Sequence, residues 1–265
     1  MRLALIKFRG NRGGIVKEKI YLSTIDENAA ALAKEYGLGI EIAEFCTAWN
    51  LDEKRDEIEP TIQEYLKSSD RFVLHGPFNE LFPCAIDKKI RAVAAERYKQ
   101  TIEAAQSYGV KKLVIHGGYN PRIYYKEWYT PESIVFWQEF VNEIPEDMVI
   151  CLENVFEEEI EMLADIVRAV DDKRIRMCLD IGHVNAYSNV SVENWIRKCY
   201  HIMEHFHIHN NNGDCDSHQQ LFDGIIPVRE VLELINEKCP TASISLELVD
   251  AEPSVKWLLN NEEIK

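Results

Sequence analysis

The amino-acid sequence predicts an α/β protein, a closed (β/α)8 TIM barrel that forms a single domain. Three observations support this prediction: a length of 265 residues, eight short runs of β-branched and apolar residues, and a helical stretch after each run. Most runs lack strict apolar–polar alternation, which is typical of parallel strands buried on both faces. An open doubly wound sheet is the alternative, but the sequence has no GxGxxG or Walker phosphate loop.

The candidate strands and helices alternate along nearly the whole chain. The strands are 20–24, 38–45, 71–78, 111–118, 148–154, 175–183, 205–211 and 242–248. The helices between them are 26–37, 52–69, 87–109, 131–144, 157–170, 191–204, 226–238 and 253–264. Gly37 and Gly109 stand shortly before strands, where a glycine that ends a helix is expected. We therefore expect one domain over 1–265, with 20–264 as eight βα units and 1–19 as an N-terminal extension that turns in a hairpin at Gly13-Gly14.

The composition favours a soluble protein of the cytoplasm. Apolar residues make up 46% and charged residues 28% of the chain, which excludes a disordered or collagen-like protein. No apolar run is long enough to span a membrane, and the N-terminus does not resemble a signal peptide. The seven cysteines lack a CxxC motif, as expected for buried thiols in a reducing compartment. A net charge of −15 disfavours nucleic acid as a partner.

Titratable side chains stand at or near the carboxyl ends of most predicted strands. In a closed barrel these ends meet at one rim, where active sites are built. Singly, such a histidine is more often a satisfied core residue and such a glutamate an ion-pair partner, but several carboxylates buried together are costly without a cation. Imidazole and carboxylate are ligands for Zn²⁺, Mn²⁺ or Fe²⁺, so the sequence predicts a metal site. The residues are Glu41, Glu44, His75, His116, Glu153, Asp180, His183, His207, His209 and Glu247.

Two loops and one further aromatic residue add candidates. After the seventh strand, Asp216 and His218 lie two residues apart and could complete a further site with His183, although a flexible polar loop is the alternative. The loop after the fourth strand holds five aromatic residues, beginning with Tyr119, and Trp49 follows the second strand. Such rings stack on a sugar or a base, or cap a pocket, and a contact in a homo-oligomer is the other interpretation.

Together these motifs resemble the xylose isomerase-like TIM-barrel superfamily, which contains sugar isomerases and epimerases and the abasic-site nuclease endonuclease IV (AP endonuclease family 2). The resemblance covers about residues 20–250, with the motifs in the same order and on the same strands. They are HGPF at 75–78, VIHGG at 114–118, LEN at 152–154, LDIGH at 179–183, HIHN at 207–210, DSH at 216–218 and LEL at 246–248.

The epimerase-like branch implies a divalent-metal-dependent isomerase or epimerase of a small sugar or polyol derivative. One ion would be held by the positions that match Glu153, Asp180, His207 and Glu247. The two glutamates would move a proton through an enediolate, and His183 would contact a substrate oxygen. The resemblance leaves the metal open among Mn, Zn, Mg and Co, and its number between one and three.

The nuclease branch implies three zinc ions and a zinc-dependent phosphodiesterase that acts on abasic DNA. Three departures favour a carbohydrate substrate instead: Asn210 stands where the nuclease has aspartate, Phe222-Asp223-Gly224 replaces Gly-Glu-Gly, and the loop CTAWNLDEKRDE has more acid than base. A sugar-binding sensor is a third interpretation, but binding alone does not need paired carboxylates on a metal. Every ligand position of the nuclease nevertheless has a competent residue here: His75, His116, Glu153, Asp180, His183, His207, Asp216, His218 and Glu247.

Overall fold

The computed structural model describes residues 15–261 and shows a closed barrel in which eight parallel strands follow one another in sequence order. This confirms the predicted (β/α)8 fold class. The strands are β1 (Ile20–Ser23), β2 (Gly39–Ile42), β3 (Phe72–His75), β4 (Lys112–His116), β5 (Val149–Glu153), β6 (Ile175–Asp180), β7 (Met203–Ile208) and β8 (Ser243–Leu246).

Helices follow the strands and cover the outside of the barrel. They are α1 (Ala29–Tyr36), α2 (Arg55–Ser68), α3 (Lys88–Ser107), α4 (Lys126–Phe140), α5 (Ile160–Val170), α6 (Ile181–Tyr187), α7 (Val192–Cys199), α8 (Val228–Lys238) and α9 (Glu252–Asn260). Short 3-10 turns cover Lys17–Lys19, Glu44–Cys46, Ala48–Asn50 and Val141–Glu143. Within residues 15–261, none of the helices is both long and apolar enough to cross a membrane.

The sixth βα unit differs from the prediction in a way that matters for the site. The strand predicted over 175–183 ends at Asp180, and α6 begins at the next residue. The Asp180 carboxylate accepts a hydrogen bond from the backbone N–H of His183 at 2.6 Å, which caps the helix. His183 therefore lies in the first turn of a helix and not on a strand.

Other element boundaries differ from the prediction by a few residues. Strand β7 begins at Met203, so the helix predicted over 191–204 ends earlier, at Cys199. Helix α4 begins at Lys126 and contains Pro131, where the predicted helix begins. Gly37 and Gly109 adopt the expected left-handed conformation, with φ of 68° and 70°. The hairpin predicted at Gly13-Gly14 lies outside the described residues.

The barrel interior holds a small apolar layer below a polar one. Val73, Val114, Cys151 and Cys178 are fully buried and pack together inside the barrel. Polar side chains fill the interior above them, towards the carboxyl ends of the strands. This arrangement places the predicted rim residues on a packed floor, with loops and helix N-termini around them.

Candidate metal centre and its pocket

Side chains from six neighbouring strands converge at the carboxyl end of the barrel. Most of them are buried, and His116 is half-buried. The strands deliver one residue each because their ends reach the same rim. These residues are His75 from β3, His116 from β4, Glu153 from β5, Asp180 from β6, His207 from β7 and Glu247 just after β8.

The Nδ1 atom of His207 lies at the centre of this group. It is buried and has no hydrogen-bond partner. It lies 3.3 Å from Oε1 of Glu247, 3.4 Å from Oε1 of Glu153 and 3.9 Å from Oδ2 of Asp180. A four-coordinate ion with ligands at roughly 2.1 Å separates its ligand atoms by about 3.4 Å. An unpartnered imidazole nitrogen facing three carboxylates therefore fits a divalent cation.

Two further histidines are anchored in the way that metal ligands usually are. Nδ1 of His75 lies 2.9 Å from the Gly76 carbonyl oxygen, and Nε2 lies 3.2 Å from Oε2 of Glu153. Nδ1 of His183 lies 2.9 Å from the Asn154 carbonyl oxygen. A carbonyl oxygen only accepts, so each ring donates its Nδ1–H there and turns Nε2 towards a carboxylate. A proton or a metal ion is needed between that nitrogen and the carboxylate.

The loop between β7 and α8 completes a second cluster. Oδ2 of Asp216 lies 3.2 Å from Nε2 of His183 and 3.0 Å from Nε2 of His218. The other nitrogen of His218 lies 2.8 Å from the Glu247 carbonyl oxygen, so this ring is anchored like His75. Asp216 and His218 thus lie beside His183, the residue that was predicted to complete a site with them.

The carboxylates of the centre have different electrostatic surroundings. Burial raises the pKa of Glu153, but the imidazoles of His116 and His207 outweigh it and hold that pKa well below its usual range. Burial raises the pKa of Glu247, and the neighbouring carboxylate of Glu153 adds to this against the opposing effect of His207. Burial lowers the pKa of His116 to about 3 despite the Glu153 carboxylate, so this ring is a neutral ligand candidate at physiological pH.

A cavity of about 830 Å³ opens above the centre. Among the described residues that line it there is no Lys or Arg. The Phe78 ring stacks on the imidazole of His116, with ring centroids 4.2 Å apart. The lining combines ligand candidates with aromatic rings: His75, His116, Glu153, His183, Asp216, His218, Glu247, Phe78, Phe82, Tyr119, Phe156 and Tyr187.

Of the remaining predicted site residues, some lie at the cavity or the centre and others do not. Tyr119 lines the cavity, whereas Trp49 is 64% exposed and does not belong to its lining. Glu44 faces away from the centre, because its carboxylate accepts hydrogen bonds from Thr24 at 2.7 Å and Tyr65 at 2.6 Å. His209 lies 3.2 Å from the Asp180 carboxylate and stacks on His218.

His205 is a buried histidine of this region that the sequence did not identify as a site residue. It is fully buried in the barrel interior, below His207. The alternation in HFHIH places His205, His207 and His209 on one face of β7 and its extension. This two-residue spacing is the sequence feature that could have indicated that His205 points into the barrel with His207. Only the second and third of these histidines stand close enough to the strand end to suggest a rim position.

Fold and site together define a (β/α)8 barrel whose rim carries a ligand set competent for metal ions. The chain belongs to the xylose isomerase-like TIM barrel family, whose model matches residues 30–263. This confirms the resemblance inferred from the motifs.

Two relatives illustrate the range of the family. An uncharacterized protein of Methanocaldococcus jannaschii is 31% identical over 215 residues, which cover 74% of this chain and 71% of the relative. A probable endonuclease 4 of Ureaplasma parvum is 28% identical over 143 residues, which cover 50% of this chain and 45% of the relative. The chain therefore matches less than half the length of that nuclease.

Similar solved structures share the fold. A D-tagatose 3-epimerase-like protein has a TM-score of 0.73 and 24% identity, covering 92% of this chain and 96% of its own. A zinc chloride-soaked protein of Thermus thermophilus has a TM-score of 0.76 and 20% identity, covering 91% of this chain and 97% of its own. At these identities the likeness concerns the fold.

Proposed function

We propose that this protein is a divalent-metal-dependent isomerase or epimerase of a small sugar or polyol derivative. The supporting observation is the pairing of Glu153 and Glu247 at a cavity whose described lining has no Lys or Arg. A phosphodiester would be expected to find cationic side chains there. A neutral carbohydrate needs hydrogen-bonding groups and aromatic surface, which this cavity supplies. The name of the D-tagatose 3-epimerase-like structure agrees with this substrate class.

The residues divide the chemistry between them. Glu153, Asp180, His207 and Glu247 would hold one divalent ion, which when bound polarises a carbonyl group and so acidifies the neighbouring C–H. Glu153 and Glu247 reach the centre from strands three places apart in the barrel. One carboxylate would remove the proton from the carbon next to the carbonyl group, and the other would return a proton.

The surrounding residues would bind and orient the substrate. The Nε2 atom of His183 faces the cavity-lining Asp216, so this imidazole can reach a substrate hydroxyl group beside the carboxylates. Tyr119 and Phe156 offer aromatic surface to the apolar face of a sugar. Burial of the two glutamates keeps bulk water away from the proton that is transferred.

The test is hydrogen exchange on a panel of free ketoses and aldoses in D2O, with metal content measured on the same preparation. We expect deuterium at a carbon next to the carbonyl group of one substrate, together with one tightly bound ion per chain. Loss of the deuterium exchange in Glu247→Gln would show that the exchange takes place at this site. A metal-replete chain that exchanges none of the panel would count against the proposal.

An endonuclease IV-like phosphodiesterase that acts on abasic DNA is the second candidate. Two observations favour it. The nine residues that match the nuclease ligand positions all lie at this rim. In addition, Oδ1 of Asp216 is buried without a hydrogen-bond partner. The curated relative from Ureaplasma parvum agrees with this alternative over half of the chain. Three tightly bound zinc ions and metal-dependent nicking of abasic duplex DNA would favour it over the isomerase.

A further inference from the structure

A continuous line of hydrogen bonds runs through the barrel interior to His207. Nζ of Lys112 lies 2.9 Å from Oγ of Ser243, and that oxygen lies 2.6 Å from Nδ1 of His205. Nε2 of His205 lies 3.0 Å from Oε2 of Glu41, whose other oxygen lies 2.9 Å from Nε2 of His207. The line thus joins a lysine near the amino ends of the strands to the candidate metal centre.

The strand register explains how these groups meet. In the pairing of β7 with β8, His205 lies opposite Ser243 and His207 lies opposite Ser245. Glu41 reaches both histidines from β2 across the barrel, and Ser245 donates a hydrogen bond to the same carboxylate. Glu41, His205 and His207 are fully buried, so no bulk solvent competes for these bonds.

The direction of each bond follows from the chemistry of its partners. An ammonium group only donates, so Ser243 accepts from Lys112, and the Glu41 carboxylate only accepts, so Nε2 of His205 donates to it. With its hydrogen on Nε2, His205 keeps the lone pair of Nδ1, which accepts the hydroxyl hydrogen of Ser243.

The same reasoning fixes the hydrogen on His207. Both oxygens of Glu41 accept, one from His205 and one from Nε2–H of His207. The Nδ1 atom of His207 is left with its lone pair, and this is the buried nitrogen without a hydrogen-bond partner that faces Glu153 and Glu247. A carboxylate behind a ligand histidine is a common way to fix its tautomer and ring orientation.

We propose that Lys112, Ser243, His205 and Glu41 form a directional hydrogen-bond chain that positions His207 as its Nε2–H tautomer and so presents Nδ1 to the metal. These four are positioning residues, since none of them contacts the cavity. The inference rests on the metal centre of the proposed function but not on its substrate, because the isomerase and the nuclease would use the same ligand.

The first measurement is the hydrogen placement in the metal-free full-length chain. Histidine labelled with ¹⁵N distinguishes a protonated from a bare ring nitrogen by chemical shift, and His207→Gln identifies the signals of that ring. We expect Nε2 of His207 to carry a hydrogen, with or without a second proton that takes the place of the ion on Nδ1 between the two carboxylates. In Ser243→Ala the signals of His205 should shift, and Ser243→Thr, which keeps the hydroxyl group, should restore them. A His207 whose Nε2 carries no hydrogen would overturn the inference.

The second measurement is the rate at which zinc passes to a chromophoric chelator. Glu41→Gln offers one acceptor oxygen and an NH2 group, so it cannot accept from both histidines, and we expect release to be faster by about 10–100-fold. Ser243→Ala should accelerate release by a smaller factor. Ser133→Ala is the matched control, because Ser133 is a fully buried serine of α4, outside the barrel interior, and release should match that of wild type.

The outcomes separate this inference from the proposed function. Wild type that binds zinc, with Glu41→Gln releasing it at the same rate, overturns the positioning role and leaves the metal centre intact. Wild type that retains no metal overturns the proposed function, while the nitrogen shifts of the metal-free chain still decide the hydrogen placement.

Discussion

Oε1 of Glu247 lies 3.3 Å from Nδ1 of His207, a contact between the end of β8 and the neighbouring β7. Glu153 approaches the same nitrogen within 3.4 Å from β5. Two carboxylates therefore share one imidazole nitrogen in a buried site. Without a cation or a proton between them, this arrangement would be strongly repulsive, which makes both glutamates the first targets for substitution.

We predict that Glu153→Gln and Glu247→Gln each lower kcat/KM by about 10²–10⁴-fold, the usual contribution of a general acid or base. The amide keeps the volume of the side chain but removes its charge and basicity. Glu44→Gln is the matched control, since this nearby carboxylate is bound by Thr24 and Tyr65 and faces away from the centre. The measurement is turnover of the identified substrate by variants with wild-type circular dichroism. Activity of both variants within tenfold of wild type would contradict the roles assigned to them.

The barrel and its rim could be predicted from the sequence because both follow from local patterns. Runs of buried residues at βα spacing fix the strand order, and polar residues at strand ends then fall on one rim. The end of strand β6 could not be predicted from such a local pattern. Its strand continues without a break into the apolar start of α6, and the helix begins because the Asp180 side chain caps it.

The roles of Glu41 and Trp49 depend on contacts between distant parts of the chain. The sequence places Glu41 at the rim, but it lies within the barrel because His205 and His207, more than 160 residues away, bind both of its oxygens. The side chain of Trp49 is mostly exposed within the 3-10 turn Ala48–Asn50, away from the cavity lining. No local pattern indicates the direction in which such a turn points, so substrate binding by Trp49 stays a prediction.

We predict that the protein does not form a sub-micromolar complex with duplex DNA containing an abasic analogue at about 0.15 M salt. Affinity for DNA depends largely on cations that displace counterions, and the chain has a net charge of −15 with no Lys or Arg in the described cavity lining. Fluorescence anisotropy with zinc present, next to a nicking assay on the same duplex, provides the measurement. Tight binding with metal-dependent nicking would reverse the order of the two proposed functions.

Gly182 leaves room for the imidazole of His209, because a Cβ atom at position 182 would overlap that ring. We predict that Gly182→Ala lowers the free energy of unfolding by about 1–3 kcal/mol, as overpacking of a core does. In Gly182→Ala with His209→Ala the overlap is gone, so the double variant should lose less stability than the two single changes together. Urea unfolding of the four proteins in this cycle is the measurement. Additive effects would show that the two residues do not constrain each other.

The buried pair of Tyr129 and Glu157 predicts a pH-dependent effect on stability. The Tyr129 hydroxyl donates to Oε1 of Glu157 at 2.8 Å, and burial raises the pKa of Glu157 although this bond and the Val155 N–H oppose the rise. A carboxyl group whose folded pKa is raised stabilises the fold at low pH, and this contribution is lost as the pH rises through the folded pKa. Tyr129→Phe removes a donor and raises that pKa further.

We therefore expect Tyr129→Phe to cost about 1.5–3 kcal/mol at pH 7, where it leaves a buried carboxylate with one hydrogen bond fewer. Below the unfolded pKa of about 4.3 the cost should shrink, because Glu157 is protonated in both states. Urea unfolding at both pH values measures the difference. In a Glu157→Gln background the cost of Tyr129→Phe should be the same at both pH values, and a cost that persists undiminished at low pH in the wild-type background would contradict this account.

The last prediction is that the ligand candidates form two separable sets. Glu153, Asp180, His207 and Glu247 lie on four neighbouring strands or directly after them. Asp216 and His218 lie on the loop between β7 and α8, and loops are the least rigid carriers of ligands. We expect Asp216→Ala with His218→Ala to keep one tightly bound metal and to raise KM or slow turnover.

Asp180→Asn or His207→Ala should instead lose that metal. An ion present at about 100 times its Kd stabilises the folded state by about 2.7 kcal/mol, so these variants should also unfold at a lower temperature. Elemental analysis after dialysis and thermal unfolding are the measurements, with Asp214→Ala as a control from the same loop because its side chain is exposed. His183 touches both sets, lying 3.3 Å from Glu153 and 3.2 Å from Asp216, so it is a point of contact between the loop and the first set. If the double loop variant loses all its metal, or if wild type holds three ions and the variant loses one of them with all activity, the sets are not separable and the trinuclear nuclease becomes the better description.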